Sequence, residues 1–243
     1  MSVTDERGSL EEVNAELARS NRELEEFAYV ASHDLKSPLL VINGFLQLLQ
    51  RTKADQLDDD ARRYVEAALR GAGRMEQLID DLLTYSRIGR PKQDRELVDL
   101  GVVVSQLMMD WDSAISTAGS EVRVGPLPAV RGDGTMLRQL LENLLSNAVK
   151  FRRPDTGLVV EIGSERRSDQ WLVSVCDNGI GIAPEHRESI FTMFSRLQPA
   201  NNLPGSGIGL AICHRVVHAH GGRIWVEDGA DGGTRLCFTL PST

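Results

Sequence analysis

His33, Asp34 and Ser37 stand together in SHDLKSPLL. At about 100° per residue, His33 falls roughly opposite the apolar stripe of its helix, so its imidazole is expected in solvent. Ser37, one turn on, shares that face. Asp34 can orient the ring and take the Nδ1 proton, leaving Nε2 as a nucleophile. Taken alone, an exposed histidine is ordinary helix surface. Asn143, Asn147 and Lys150 form a second group, in LLENLLSNAVKF. Asn is a poor residue for a helix interior, yet the first two share a face and Lys150 lies close to it. Amide oxygens can ligate Mg²⁺ and an ammonium can neutralise phosphate, while capping or surface amides are the plainer alternative.

Two glycine-containing turns follow. Asp177, Asn178, Gly179, Ile180 and Gly181 come directly after the strand-like run 171–176. Glycines let a backbone turn tightly against a ligand, and an acid at a strand end can accept a hydrogen bond from an exocyclic amine. A simple β-turn is the alternative. Gly205, Gly207 and Gly209 lie in GSGIGLAI, which runs into a helix. Free N–H groups and the helix dipole make such a turn a phosphate cradle. It is neither a Walker motif, for no GK[ST] follows, nor a dinucleotide fingerprint, for the third glycine is misplaced. Between the turns, residues 182–204 read as a long functional loop or lid. Phe191 and Phe194 would pin it, and Arg196 would reach a phosphate. His214 and His218 have a spacing zinc can use, but HExxH is absent and the following glycines simply end the helix.

The elements that position these groups divide the chain. Residues 9–50 read as one long helix, with Leu10, Val13, Leu17, Leu24 and Phe27 on a coiled-coil seam. Its stripe continues through Ala31, Leu35, Pro38, Ile42, Phe45 and Leu49, with Pro38 expected to kink or loosen the helix. Residues 51–57 read as a polar loop. Asp58, Asp59 and Asp60 start a second helix reaching about Ser86, with Tyr64, Ala68, Ala72, Met75, Ile79 and Leu82 on one face. Two such helices bury little alone, so a dimeric four-helix bundle is expected. The boundaries are 1–26 for a signalling coiled coil, 27–88 for the hairpin and 89–94 for a linker. Residues 95–243 form a second domain. There, strand signals at 121–124, 158–162, 171–176, 223–226 and 235–240 mix with helical patterns near 100–115, 134–151 and 207–219. Their irregular alternation favours α+β, with a mixed or antiparallel sheet and helices on one face.

Composition limits the function. The formal net charge of −8 argues against nucleic acid or an anionic membrane as the main partner. The three cysteines are far apart, which reads as free thiols in a reducing cytoplasm. No apolar run is long enough to insert directly into a membrane.

SHDLKSPL, NLLSNAVKF, DNGIG, FTMFSRL and GSGIGLAI resemble, in order, the H-, N-, G1-, F- and G2-boxes of sensor histidine kinases. The resemblance implies a dimerisation and phosphotransfer hairpin followed by an α/β sandwich of the Bergerat type, shared with Hsp90, gyrase and MutL ATPases. It implies ATP and Mg²⁺. His33 would be the phosphoacceptor, Asp34 its acidic neighbour and Asn147 the metal ligand. Asn143 and Lys150 would contact phosphates or the metal's water shell. Asp177 would receive the adenine amine, with Gly179 and Gly181 shaping that pocket. Gly205, Gly207 and Gly209 would let lid and helix close, and Arg196 would assist transfer. Ser37 stands where phosphatase-competent members carry Thr or Asn, which leaves phosphatase activity open. The implied partners are a second copy in a homodimer and the receiver domain of a response regulator. The resemblance also implies an upstream sensor, expected outside this chain. The setting would be cytoplasmic, compatible with a membrane-attached parent. A nucleotide-gated ATPase of the same fold and an inactive dimeric scaffold are the alternatives.

Overall fold

The computed structural model describes residues 16, 19, 30, 32, 34–88, 95–117, 120–154, 156–195 and 206–242, without the side chains of 112–117. The heptad positions up to Phe27 lie outside these residues. The chain forms two compact units, Met1–Arg87 and Ile88–Thr243.

In the first unit, α1 occupies residues 34–52 and is helical through Pro38. It consumes the start of the expected polar loop, with Thr52 Oγ1 donating to the Leu48 carbonyl at 2.7 Å. A short 3₁₀ turn, Ala54–Gln56, precedes α2, Asp59–Arg87. Asp58 Oδ1 accepts from the Ala61 N–H at 2.7 Å, capping α2 as the aspartate run predicted. The hairpin buries Leu39, Ala72 and Ile79, with Leu83 packed against them. Lys36 Nζ reaches Asp80 Oδ1 at 2.6 Å, and Asn43 Nδ2 reaches Glu76 Oε2 at 3.4 Å, across the same interface. On α2 the buried Ala72 and Ile79 belong to the expected stripe, whereas on α1 the expected stripe is not what one hairpin buries. Leu39, outside that stripe, is 5% exposed, whereas Leu35, Ile42, Phe45, Tyr64 and Met75 are exposed, Phe45 by 69%. α1 carries two adjacent apolar faces, and one chain fills only one of them.

The second unit holds a five-stranded sheet. Its strands are β2 (Glu121–Val124), β4 (Val159–Arg167), β5 (Gln170–Asp177), β6 (Ile224–Asp228) and β7 (Thr234–Pro241). The order is β2-β4-β5-β7-β6, with β2 parallel to β4 and all other pairs antiparallel. Two strands absent from the sequence reading, β1 (Glu96–Asp99) and β3 (Ala129–Gly132), pair separately.

The register aligns Ile162 with Val175, Val175 with Leu236, Val173 with Phe238 and Ile224 with Phe238. One sheet face is thus continuously apolar. On the other, Arg123 pairs with Glu161 and Arg235 with Glu227. Helices α3 (Leu100–Thr117), α4 (Gly134–Lys150) and α5 (Gly209–Ala219) complete the unit. α4 contacts β5, and α5 contacts β6 and β7. Leu137, Leu140, Leu141 and Leu144 of α4 are fully buried, each contributing about 2 kcal/mol of transfer free energy. The cysteines are free. Burial raises the thiol of Cys213 strongly and that of Cys237 to about 11, so both are packing groups.

His220, just past α5, ties two helices together. Its Nδ1 lies 2.7 Å from the Val216 carbonyl, and its Nε2 accepts from the Asp133 N–H at 3.0 Å. Asp133 caps α4, its Oδ1 accepting from Thr135 and Met136. Both ring contacts require the neutral imidazole with its proton on Nδ1. Burial lowers the His220 pKa below the ordinary histidine value, with Arg95 lowering it further. The unfolded chain therefore gains this proton first as pH falls, and the stability present above about pH 6.5 is progressively lost. All three tryptophans, Trp111, Trp171 and Trp225, lie in this unit. Their fluorescence melting midpoint is expected to drop from pH 7.5 to 5. His220→Gln should lower the midpoint at pH 7.5 and flatten that dependence. An equally steep dependence in the variant would locate the proton uptake elsewhere.

Candidate functional site

β5 ends at Asp177, whose carboxylate sits on the apolar sheet face and is 8% exposed. Its Oδ1 accepts from the N–H of Gly179 at 2.8 Å and of Thr234 at 3.2 Å. Among the described residues no hydrogen bond falls on Oδ2. Burial raises the Asp177 pKa, and the two N–H groups partly offset it. The result is an oriented acceptor with one oxygen uncommitted.

Backbone walls this acceptor in. The Ile180 N–H donates to the Phe151 carbonyl at 3.1 Å, bringing the turn onto the end of α4. Gly181 has φ +76°, and a Cβ there would lie 2.5 Å from the Gly232 carbonyl oxygen. At Gly233 a Cβ would lie 1.9 Å from the Asp177 carbonyl oxygen. Side chains at either position would force the turns apart. Arg153 Nη2 braces the second turn by donating to the Asp231 carbonyl at 2.8 Å.

Asn143, Asn147 and Lys150 are all half-buried on one stripe of α4, opposite Leu140, Leu141, Leu144, Leu145 and Ala148. Asn143 Nδ2 donates to the Gly209 carbonyl at 3.3 Å, so this amide also joins α4 to the first residue of α5. Lys150 Nζ lies 4.5 Å from the Phe151 ring centroid. Gly207 has φ +74°. Among the described residues the α5 N-terminus has no side-chain cap, leaving first-turn N–H groups to face an anion.

The start of the long loop folds into two 3₁₀ turns, Pro184–His186 and Ser189–Phe191. Ile190 is its buried anchor, and Phe191 packs against His214 with ring centroids 5.9 Å apart. Phe194 does not pin the loop as expected: it is exposed, at φ +62°. Arg187 ties the loop to β6 through Asp228. His33, Arg196 and Gly205 lie outside the described residues. In the first unit, Asp34, Ser37 and Leu40 are exposed on α1.

Residues 132–243 match the family described as histidine kinase-, DNA gyrase B- and HSP90-like ATPases. Residues 23–91 match the His kinase A phospho-acceptor domain. Cyanobacterial phytochrome A of Nostoc sp. is 40% identical over 98% of this chain. Mycobacterial sensor histidine kinase MprB is 33% identical, with 60% of this chain covering 97% of that structure at a TM-score of 0.55. The chain belongs to the sensor histidine kinases. Full-length ShkA in complex with AMPPNP is also similar, at 29% identity, with a TM-score of 0.69 over 89% of this chain and 45% of that one. The chain spans about a third of the length of the phytochrome, 31%.

In this sensor histidine kinase, His33 falls within the phospho-acceptor match, and every second-unit candidate falls within the ATPase match. Two parts of the candidate site escaped the sequence reading. Thr234 orients Asp177 through its backbone N–H, and Gly232–Gly233 forms a wall. Their signal was GGT ahead of a strand, which reads simply as a turn. No helix among the described residues is long and apolar enough to cross a membrane.

Proposed function

We propose that the chain transfers the γ-phosphoryl group of ATP to its own His33 and passes it to an aspartate of a response-regulator receiver domain. The observation that carries this reading is Asp177 with its uncommitted Oδ2 in a glycine-walled recess, beside the Asn–Lys stripe of α4 and the uncapped start of α5. The adenine amine would donate to Oδ2. Lys150 and the α5 N–H groups would meet the phosphates. His33 Nε2 would attack phosphorus in line as the bond to the β–γ bridging oxygen breaks and ADP leaves. Asp34 would take the Nδ1 proton. Positioning and charge neutralisation supply most of the acceleration.

Mg²⁺ fits this donor set. Mg²⁺ takes oxygen ligands and usually only one or two from protein, with phosphates and water completing its shell, which a half-buried amide oxygen on α4 can supply. Asn147 would hold it, and when bound it would neutralise charge on the phosphates. The exposed stripe of α1 and α2 supports a homodimeric four-helix bundle extended upstream by a coiled coil. Leu40, 53% exposed beside Ser37, supports a docking patch for the regulator. The chain would work in the cytoplasm, driven by an upstream sensor in a soluble or membrane-attached parent.

Incubation with γ-labelled Mg·ATP is expected to give acid-labile label on the chain, and none on His33→Gln. Label persisting on that variant would exclude His33 as acceptor. Free phosphate released without protein label would favour an ATPase.

A further inference from the structure

Both flanks of the segment expected to link the units are fastened to a single helix. Ile88, the first residue of the second unit, is 2% exposed. Its carbonyl accepts from Arg215 Nε at 2.9 Å. On the far side of residues 89–94, Arg95 Nη2 donates to the Ala219 carbonyl at 2.7 Å. Arg215 and Ala219 both belong to α5, roughly one turn apart.

Each bond has a physical rationale. The Ala219 carbonyl is among the last of its helix, without an intrahelical partner, and a cation there opposes the negative end of the dipole. Arg215 is half-buried, and a charged donor to a partly desolvated carbonyl outweighs a neutral one. Ile88 and Arg95, the described residues on either side of positions 89–94, are therefore both fastened to one rigid helix. Such a segment adds no reach between bodies, and relative motion falls on bonds outside it.

We propose that Arg215 and Arg95 are positioning residues that bind both flanks of 89–94 to α5 and so put the hinge at the Arg87–Ile88 junction, directly after α2. This rests on the kinase reading, in which nucleotide at the start of α5 must reach His33. The helix that meets the phosphates at one end then carries the chain's attachment at the other, about 16 Å away at 1.5 Å per residue. The attachment fixes the lever through which the ATP unit approaches its acceptor.

The test uses the full chain with a short Gly-Ser insertion after Pro91, the same insertion after Arg87, Arg215→Ala and Arg215→Lys. Readouts are TNP-ATP affinity, the initial labelling rate at saturating ATP and the tryptophan melting midpoint. The insertion after Pro91 is expected to leave the rate within about twofold, whereas the one after Arg87 lowers it by about tenfold or more. Arg215→Ala should lower the rate about tenfold at unchanged affinity, with partial recovery in Arg215→Lys. Equal sensitivity to the two insertions would overturn the proposal. So would an Arg215→Ala chain whose affinity falls in step with its rate, or whose rate is unchanged. Absence of label on the unaltered chain would instead overturn the kinase reading, a pattern distinct from loss confined to the variants.

Discussion

Asp177→Asn is expected to abolish measurable nucleotide binding while leaving the second unit folded. The reason is directional. Two backbone N–H groups, from Gly179 and Thr234, converge on Oδ1. In an asparagine that position must be the carbonyl oxygen, so the amide NH₂ is forced into the Oδ2 position. There it would oppose a purine amine, donor against donor. Losing a charge-assisted bond and leaving two donors unpaired costs about 3–4 kcal/mol, or a factor on the order of 10²–10³ in affinity. Stability should not suffer. Burial raises the Asp177 pKa, so the folded state disfavours the carboxylate, and a neutral amide removes that cost. The same sign predicts weaker nucleotide binding as pH falls toward the raised pKa, where the protonated acid becomes a donor. TNP-ATP titration with tryptophan melting on the same samples checks both halves. Binding retained within about threefold would show that Asp177 does not receive the base. Binding lost together with the melting transition would show that the acid is structural.

The second large effect is expected on the hairpin. Ile42→Glu combined with Phe45→Glu should convert the proposed homodimer to monomer and remove most His33 labelling. Both side chains are exposed on α1, away from the Leu39–Ala72–Ile79 contact. The fold of the single hairpin therefore does not need them. In a two-fold bundle each residue is buried twice, and each apolar side chain contributes about 1.5–3 kcal/mol. Two glutamates per subunit would also bring four like charges into one seam. The dimer dissociation constant should rise at least about 10³-fold. Light scattering and sedimentation read the mass, and helical circular dichroism reports whether the hairpin persists. A dimer of unchanged mass would place the subunit seam elsewhere.

Much of the molecule was legible before any coordinate. The boxes around Asn147, Asp177 and Gly207 fall on the helix, the strand end and the turn before a helix that periodicity expected. The Asp58–Asp60 run marked the start of α2, and the five strands of the larger sheet were read within a few residues. What these features share is locality. A cap, a turn or a 3.6-residue stripe is written within one element's own residues.

The chain by itself determined which groups can do chemistry, the order of elements that carries them and the apolar surplus that calls for a second helical hairpin. Tertiary structure alone decided which of two adjacent apolar faces one hairpin fills, putting Leu39 inside and Phe45 outside. It also set Thr234 against Asp177, anchored the loop through Ile190 rather than Phe194, and brought Ile88 to Arg215. Each of these is a long-range pairing. Several use backbone N–H or C=O groups, which every residue carries and which therefore leave no mark in the sequence.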